Sequence, residues 1–326
     1  MVVGSTRLFL QGGAMRITRR HLQVSLGVLW LLDGLLQCQP FMFTRQFAVQ
    51  VLAPASVGQP STLADLMHVV GAATLLHPAV ANGAFAIIQI VLGLALFTRR
   101  FSRPVLAASI VWALSVWIVG EGIGGIAAGG TLLTGAPGAA VLYAVIALLA
   151  WPTRERGSGD RPSRLALSAW CALWLMGSGL QLIDGNDSSR SLTMMLRAGE
   201  SSAPGWVAAI DRHLVSLRLP SWTAAALIAL FVLVAVWALV PGWTRQLSIG
   251  LGVLISLAGW LLFQGLGDLT SGQATDPNSG PLIVLLAVAV VGAYAREVDE
   301  RPLDATATSD PIVRASLVGS TGELVA

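Results

Sequence analysis

Charge is scarce in this chain: 11% of its 326 residues are Asp, Glu, Lys or Arg, against roughly 25% in soluble domains. Lysine is absent, so all twenty basic residues are arginines. Most of them sit in short loops between apolar runs, where they read as topology signals and not as a surface for nucleic acid. Nucleic acid is therefore excluded as a partner. Cysteine is rarer still. Cys38 and Cys171 have no CxxC spacing, which leaves no zinc or thioredoxin-type framework, and both read as small core residues. No HxxxH or HExxH pair calls for a metal, so none is expected. The first twenty residues adjoin no short apolar stretch with a cleavage site, so no removed signal peptide is expected, and Met15 is a second candidate start.

What the chain has instead is hydrophobicity, 55% of all residues. A helix needs about 20 apolar residues to cross a bilayer core. Apolar runs fall at 22–38, 79–97, 105–120, 138–151, 165–183, 222–240, 247–263 and 281–294. A helix over 62–76, with Leu63, Leu66, Met67 and Val70 at helical spacing, is expected to lie at the interface. Residues 184–220 form a long outer segment. Fifteen arginines fall on one side of this arrangement, and five fall on the other: Arg45, Arg190, Arg197, Arg212 and Arg218. The expectation is an all-α, polytopic plasma-membrane protein with eight transmembrane helices and both termini cytoplasmic. Its environment is the lipid bilayer.

The eight runs read as a duplication. At an offset of 143, Trp117, Glu121, Gly122 and Gly124 meet Trp260, Gln264, Gly265 and Gly267. At an offset of 144, Arg20, Trp30, Leu36 and Gln37 meet Arg164, Trp174, Leu180 and Gln181. At an offset of 145, Arg45 and His68 meet Arg190 and His213. Each copy has an even number of spans, so the two are expected as parallel four-helix repeats. The domains expected are a cytoplasmic N-terminus (1–19), a first repeat (20–151), a cytoplasmic linker (152–163), a second repeat (164–295) and a disordered cytoplasmic tail (296–326).

One acid lies inside a span and another ends one. Asp33 sits about 7 Å inside the end of its helix at 1.5 Å per residue, where a carboxylate must be protonated, paired or turned inward. Trp30 and Gln37 share its face. Glu121 closes the third span one turn after Trp117 and opens a glycine-rich loop. That loop is not a phosphate loop, since no GK[ST] follows. Asp65 and His68 share a face of the interfacial helix, and His77 follows it. A polar pocket is expected from Asp33, Gln37, Asp65, His68, His77 and Glu121, lined by Trp30 and Trp117. The alternatives are a polar clamp between helices for Asp33, a solvated loop acid for Glu121 and interface anchoring for the histidines. The second copy has Gly177 for Asp33 and Gln264 for Glu121, and its Asp268 and Asp276 read as belonging to an aqueous loop. It is expected to be the scaffold copy.

The segments RxLxxxLGxLWLLDGLLQ and AxxQIVLGLALFTRRFSRP resemble the DoxX-like family of four-helix membrane proteins, through Arg20, Leu26, Gly27, Gly34, Leu92, Gly93, Leu94, Phe97, Thr98 and Arg99. The likeness covers residues 20–120. It implies a quinone-linked membrane component with an extracytoplasmic or membrane redox protein as partner, and quinone as the ligand beside Trp30, Trp117 and Asp33. A carrier for a small solute, an ion or protons, and a non-catalytic subunit or assembly factor, are the other functions compatible with the sequence.

Overall fold

The computed structural model describes residues 18–152, 160–183 and 185–299, and every regular element among them is helical. The helices are α1 (Arg19–Leu36), the short turns α2 (Arg45–Phe47) and α3 (Ala53–Ala55), α4 (Ser61–Leu76), α5 (Pro78–Leu96), α6 (Ser102–Val119) and α7 (Ala139–Leu149). In the second half come α8 (Asp160–Leu182), α9 (Ser189–Ser202), α10 (Gly205–Ser216), α11 (Thr223–Leu239), α12 (Trp243–Leu262) and α13 (Ser279–Asp299). Local chemistry sets several starts. Thr18 caps α1 by accepting from the His21 N–H, while its own N–H donates to the His21 ring. Pro78 opens α5 where its missing N–H costs nothing.

Among the described residues, four helical stretches are long and apolar enough to cross a membrane: Pro78–Leu96, Ser102–Val119, Arg164–Leu182 and Trp243–Leu262. Large apolar side chains such as Leu35, Ile87, Val111 and Leu254 stand exposed on the outer helices. A run of exposed apolar surface of this kind fits a lipid surrounding.

Helices pair in the same way in each half. α1 runs along α5, α6 runs along α7, and α1 meets α7; α8 runs along α11, α12 runs along α13, and α8 meets α13. In the first pairing the backbones come close because glycine lines both faces. A Cβ on Gly27 would lie 3.0 Å from the Gly93 carbonyl, and one on Gly34 would lie 2.5 Å from Ile90. In the second half Trp170, Trp174 and Phe231 stack at ring centroid distances of 5.6 and 5.3 Å. α7 and α13 also touch each other, so these two helices form the common centre. Tyr143, Ile146, Ala147, Leu282 and Leu286 are buried there.

α7 spans only 11 residues, about 16 Å at 1.5 Å per residue, roughly half a bilayer core. The irregular backbone before it is buried in protein at Thr131, Leu132, Leu133 and Ala136.

The structure adds detail to two segments and corrects one residue. The stretch over 152–163 is helical from Asp160. The segment 184–220 contains α9 and α10, amphipathic helices that bury Leu192, Leu196 and Val207. Cys171 is half-buried and packs against the core, as expected, whereas Cys38 is exposed. Both thiols donate to helix carbonyls, of Gly34 and Ala235, so Cys38 is held at the end of its own helix without burial. The expectations for 1–17 and for the tail beyond residue 299 lie outside the described residues.

Candidate functional site

α6 ends because its chain enters the left-handed region. Gly122, Ile123, Gly124 and Gly125 have φ of 53, 55, 65 and 68°. At the end of α12, Gly265, Leu266, Gly267 and Asp268 have φ of 51, 61, 66 and 55°. A left-handed residue other than glycine costs about 1–2 kcal/mol, so each turn needs an anchor. Trp117 supplies one, its indole N–H donating to the Pro137 carbonyl at 2.6 Å; Trp260 donates to the Pro277 carbonyl at 2.7 Å. Trp117 is therefore a clamp on the loop.

The first turn aims Glu121 at the start of α7. One carboxylate oxygen, Oε1, accepts the Ala140 N–H at 2.9 Å, at the end of the helix where an anion is favoured. The other, Oε2, is buried with no hydrogen-bond partner in the protein. Gly138 has φ 103°, and a Cβ there would strike Oε2, so Glu121 reaches the helix only because residue 138 has no side chain.

Glu121 faces a cavity of about 260 Å³ at the end of the bundle where α1 and α6 finish. Asp33 and Gln37 of α1 line it, with Phe85 and Gln89 of α5, Trp112 and Ser115 of α6, and Tyr143 of α7. Val51 and Leu52 close one wall from a π-helical turn over Ala48–Leu52, a form often found at functional sites. Trp30 packs on Tyr143 with ring centroids 4.5 Å apart and donates to Ser109 at 2.8 Å. Asp33 is 2% exposed, its Oδ1 has no partner, and Tyr143 lies beside it. Gln37 and Gln89 are also buried with unpartnered side-chain oxygens.

A third carboxylate arrives from the other half. Asp276, with Thr275, lines the same cavity. Its oxygens accept from Thr275 Oγ1 at 2.8 Å and from the Asn278 N–H at 2.7 Å, so it also shapes its own turn. Burial raises the Asp276 carboxyl above its ordinary range, and these hydrogen bonds pull it partly back. Burial, then the charge of Asp276, pushes the Glu121 carboxyl up to about 8. Among the described residues, no Arg, Lys or His lines the cavity.

The structure thus brings Asp33, Gln37, Glu121 and Trp30 to one cavity and leaves Asp65, His68, His77 and Trp117 outside its lining. Asp65 and His68 are exposed on α4, where the His68 ring meets Ser56 Oγ at 3.1 Å. His77 sits exposed in the corner between α4 and α5. No three His, Cys, Asp or Glu side chains among the described residues come close enough to share a metal ion. Asp276 is a correction: its loop is not wholly aqueous, because it folds in against the first half. Tyr143, Trp112 and Gln89 carried no sequence signal beyond being polar or aromatic within apolar helices.

No family model, curated protein or solved structure matches this chain. The site stands on its geometry. Its counterpart in the second half is filled. Leu132 lies against Gly177, where a Cβ would be 2.7 Å from Leu132 Cδ2. The space left beside Leu132, Leu133, Trp174 and Gln264 is about 10 Å³. At the offset of 143, Leu132 and Leu133 correspond to Thr275 and Asp276. Each half sends a loop into the other: Leu132 and Leu133 close one space, while Thr275 and Asp276 line the other. Hydrogen bonds cross with the loops, from Gln264 to the Leu133 carbonyl at 3.0 Å, Asn186 to the Gly129 carbonyl at 3.1 Å and Gln39 to the Ala274 carbonyl at 3.2 Å.

Proposed function

We propose that this chain is an eight-span plasma-membrane carrier that exchanges protons for a small cation at the Asp33–Glu121–Asp276 cavity. The observation that carries this reading is one buried cavity facing three carboxyl groups and no cationic side chain. Three carboxylates cannot all stay ionised in such a place. They hold protons until a cation replaces them, and proton–cation exchange is the chemistry such a site performs. The matched left-handed turns and the reciprocal loops support two parallel four-helix repeats, with the first as the working copy and the second as scaffold. The arginine asymmetry supports an outward-facing cavity with both termini cytoplasmic.

Proton release tests the exchange. At pH 7 in weak buffer, adding a panel of small inorganic and organic cations to the purified protein should release up to about one proton per chain, because Glu121 is largely protonated below about pH 8. Glu121→Gln and Asp33→Asn should each remove most of that release. No release with any cation sinks the exchange.

A second reading has its own support. Trp112 Nε1 is a buried donor without a partner among the described residues, and Tyr143 lines the same cavity beside Asp33, so both could donate to quinone carbonyls. The DoxX-like resemblance points the same way and adds a redox protein as partner. A short-chain quinone that binds the protein while no cation displaces a proton would favour this reading over exchange.

Orientation has a separate test. With Cys38 and Cys171 replaced, Ser201→Cys should react with an impermeant thiol reagent on intact cells, and Ser158→Cys should not. The reverse pattern would overturn the proposed topology.

A further inference from the structure

We infer that the cation taken by this cavity is an organic ammonium ion with at least one N–H and a body about the size of a single ring. The inference rests on the exchange reading and names its substrate class. Three observations carry it.

The first is shape and lining. A bare metal ion is held by several oxygens drawn tightly around it, and no three His, Cys, Asp or Glu side chains among the described residues gather in that way. The acids of this cavity stand around a space of about 260 Å³ whose walls include Trp30, Phe47, Phe85 and Trp112. Aromatic faces attract a cation, most strongly when it is desolvated, and they cover an apolar body at the same time.

The second is the sense of the unmet hydrogen bonds. Asp33 and Glu121 line the cavity with Oδ1 and Oε2 buried, and the donors beside them, the Tyr143 hydroxyl and the N–H groups at the start of α7, leave acceptor capacity of both carboxylates unused. Ionised carboxylates only accept. A ligand that satisfies both brings N–H groups, which a quaternary ammonium does not carry.

The third is charge. Among the described residues, no Arg, Lys or His lines the cavity to neutralise an ionised acid. The ligand must supply the positive charge itself, and a neutral ring would leave the acids protonated and its own affinity low.

The test uses the full chain in detergent with four probes: benzylammonium, benzyl alcohol, benzyltrimethylammonium and sodium ion. Calorimetry reads affinity, and a pH indicator reads proton release. Benzylammonium should bind about tenfold or more tightly than benzyl alcohol, and more tightly than benzyltrimethylammonium, through charge-assisted N–H bonds. It should release protons as it binds. Trp112→Leu should weaken benzylammonium binding several-fold, and Glu121→Gln should remove most of the proton release. If Glu121→Gln does not fold, Asp33→Asn provides the same loss of release. Equal binding of benzyl alcohol, or of benzyltrimethylammonium, overturns the inference. Sodium that releases protons where benzylammonium does not overturns the substrate class and leaves exchange standing. No release with any probe overturns both.

Discussion

Gly124→Ala should be the most destabilising single-methyl change in the first half, with little folded protein recovered after extraction. A Cβ there would drive into the Pro137 carbonyl, and the residue has φ 65°. The backbone conformation alone costs an L-residue about 1–2 kcal/mol. Forcing two backbone segments apart adds about 1–3 kcal/mol more. The neighbouring glycine separates the two costs. Gly125 has φ 68° but nothing within 4 Å of its Cβ position, so Gly125→Ala should show the conformational cost alone. Gly267→Ala meets the Pro277 carbonyl at 2.6 Å and should fall between them. Thermal unfolding in detergent, followed by size-exclusion recovery, should rank the losses Gly124, Gly267, Gly125. Equal losses at Gly124 and Gly125 would mean that the loop does not press on Pro137.

The second large effect is on pH. Glu121 has an ordinary carboxyl value of 4.5 and is pushed up to about 8 in the fold. Between those values the folded chain holds a proton that the unfolded chain releases. Stability from this group is therefore greatest below about pH 4.5, falls as pH rises through that window and levels off above about 8. The slope is on the order of 1 kcal/mol per pH unit. Glu121→Gln keeps an oxygen for the Ala140 N–H and has no proton to lose. Its melting temperature should fall less than that of the parent from pH 5 to pH 8, and at pH 8 it should be the more stable protein. The raised Asp276 carboxyl acts in the same direction, so a residual slope is expected. Parallel melting curves for the two proteins would place Glu121 in contact with solvent.

The sequence made some of these features readable and hid others for physical reasons. Asp33 stood out because an acid within a span is expensive wherever it does not face the bundle interior, and Glu121 because glycines directly follow it. Both clues are local. Asp276 could not be found that way: in Thr275–Ser279 a polar, turn-forming run looks the same whether it points into water or folds against another half. Only the offset of 143, carried past Gly267 to Leu132 and Leu133, pairs that acid with a residue known to need a buried place. The histidines show the converse. His68 and Asp65 share a face of α4, as helical spacing requires, but both are exposed and outside the cavity lining, and periodicity fixes which residues share a face without fixing where the face looks. Tyr143 was invisible because α7 is buried nearly all round, so no polar side of that helix remains to mark its working position.

The crossed loops have a consequence for how such a chain can change over generations. Gln39 and Ala274 are 235 residues apart and yet share a hydrogen bond, and the walls of the open cavity are encoded at both ends of the sequence. A substitution in one copy alters the interior of the other. Neither half can be altered at this contact alone, because a threonine and an acid in place of Leu132 and Leu133 would stand against Gly177 and Trp174.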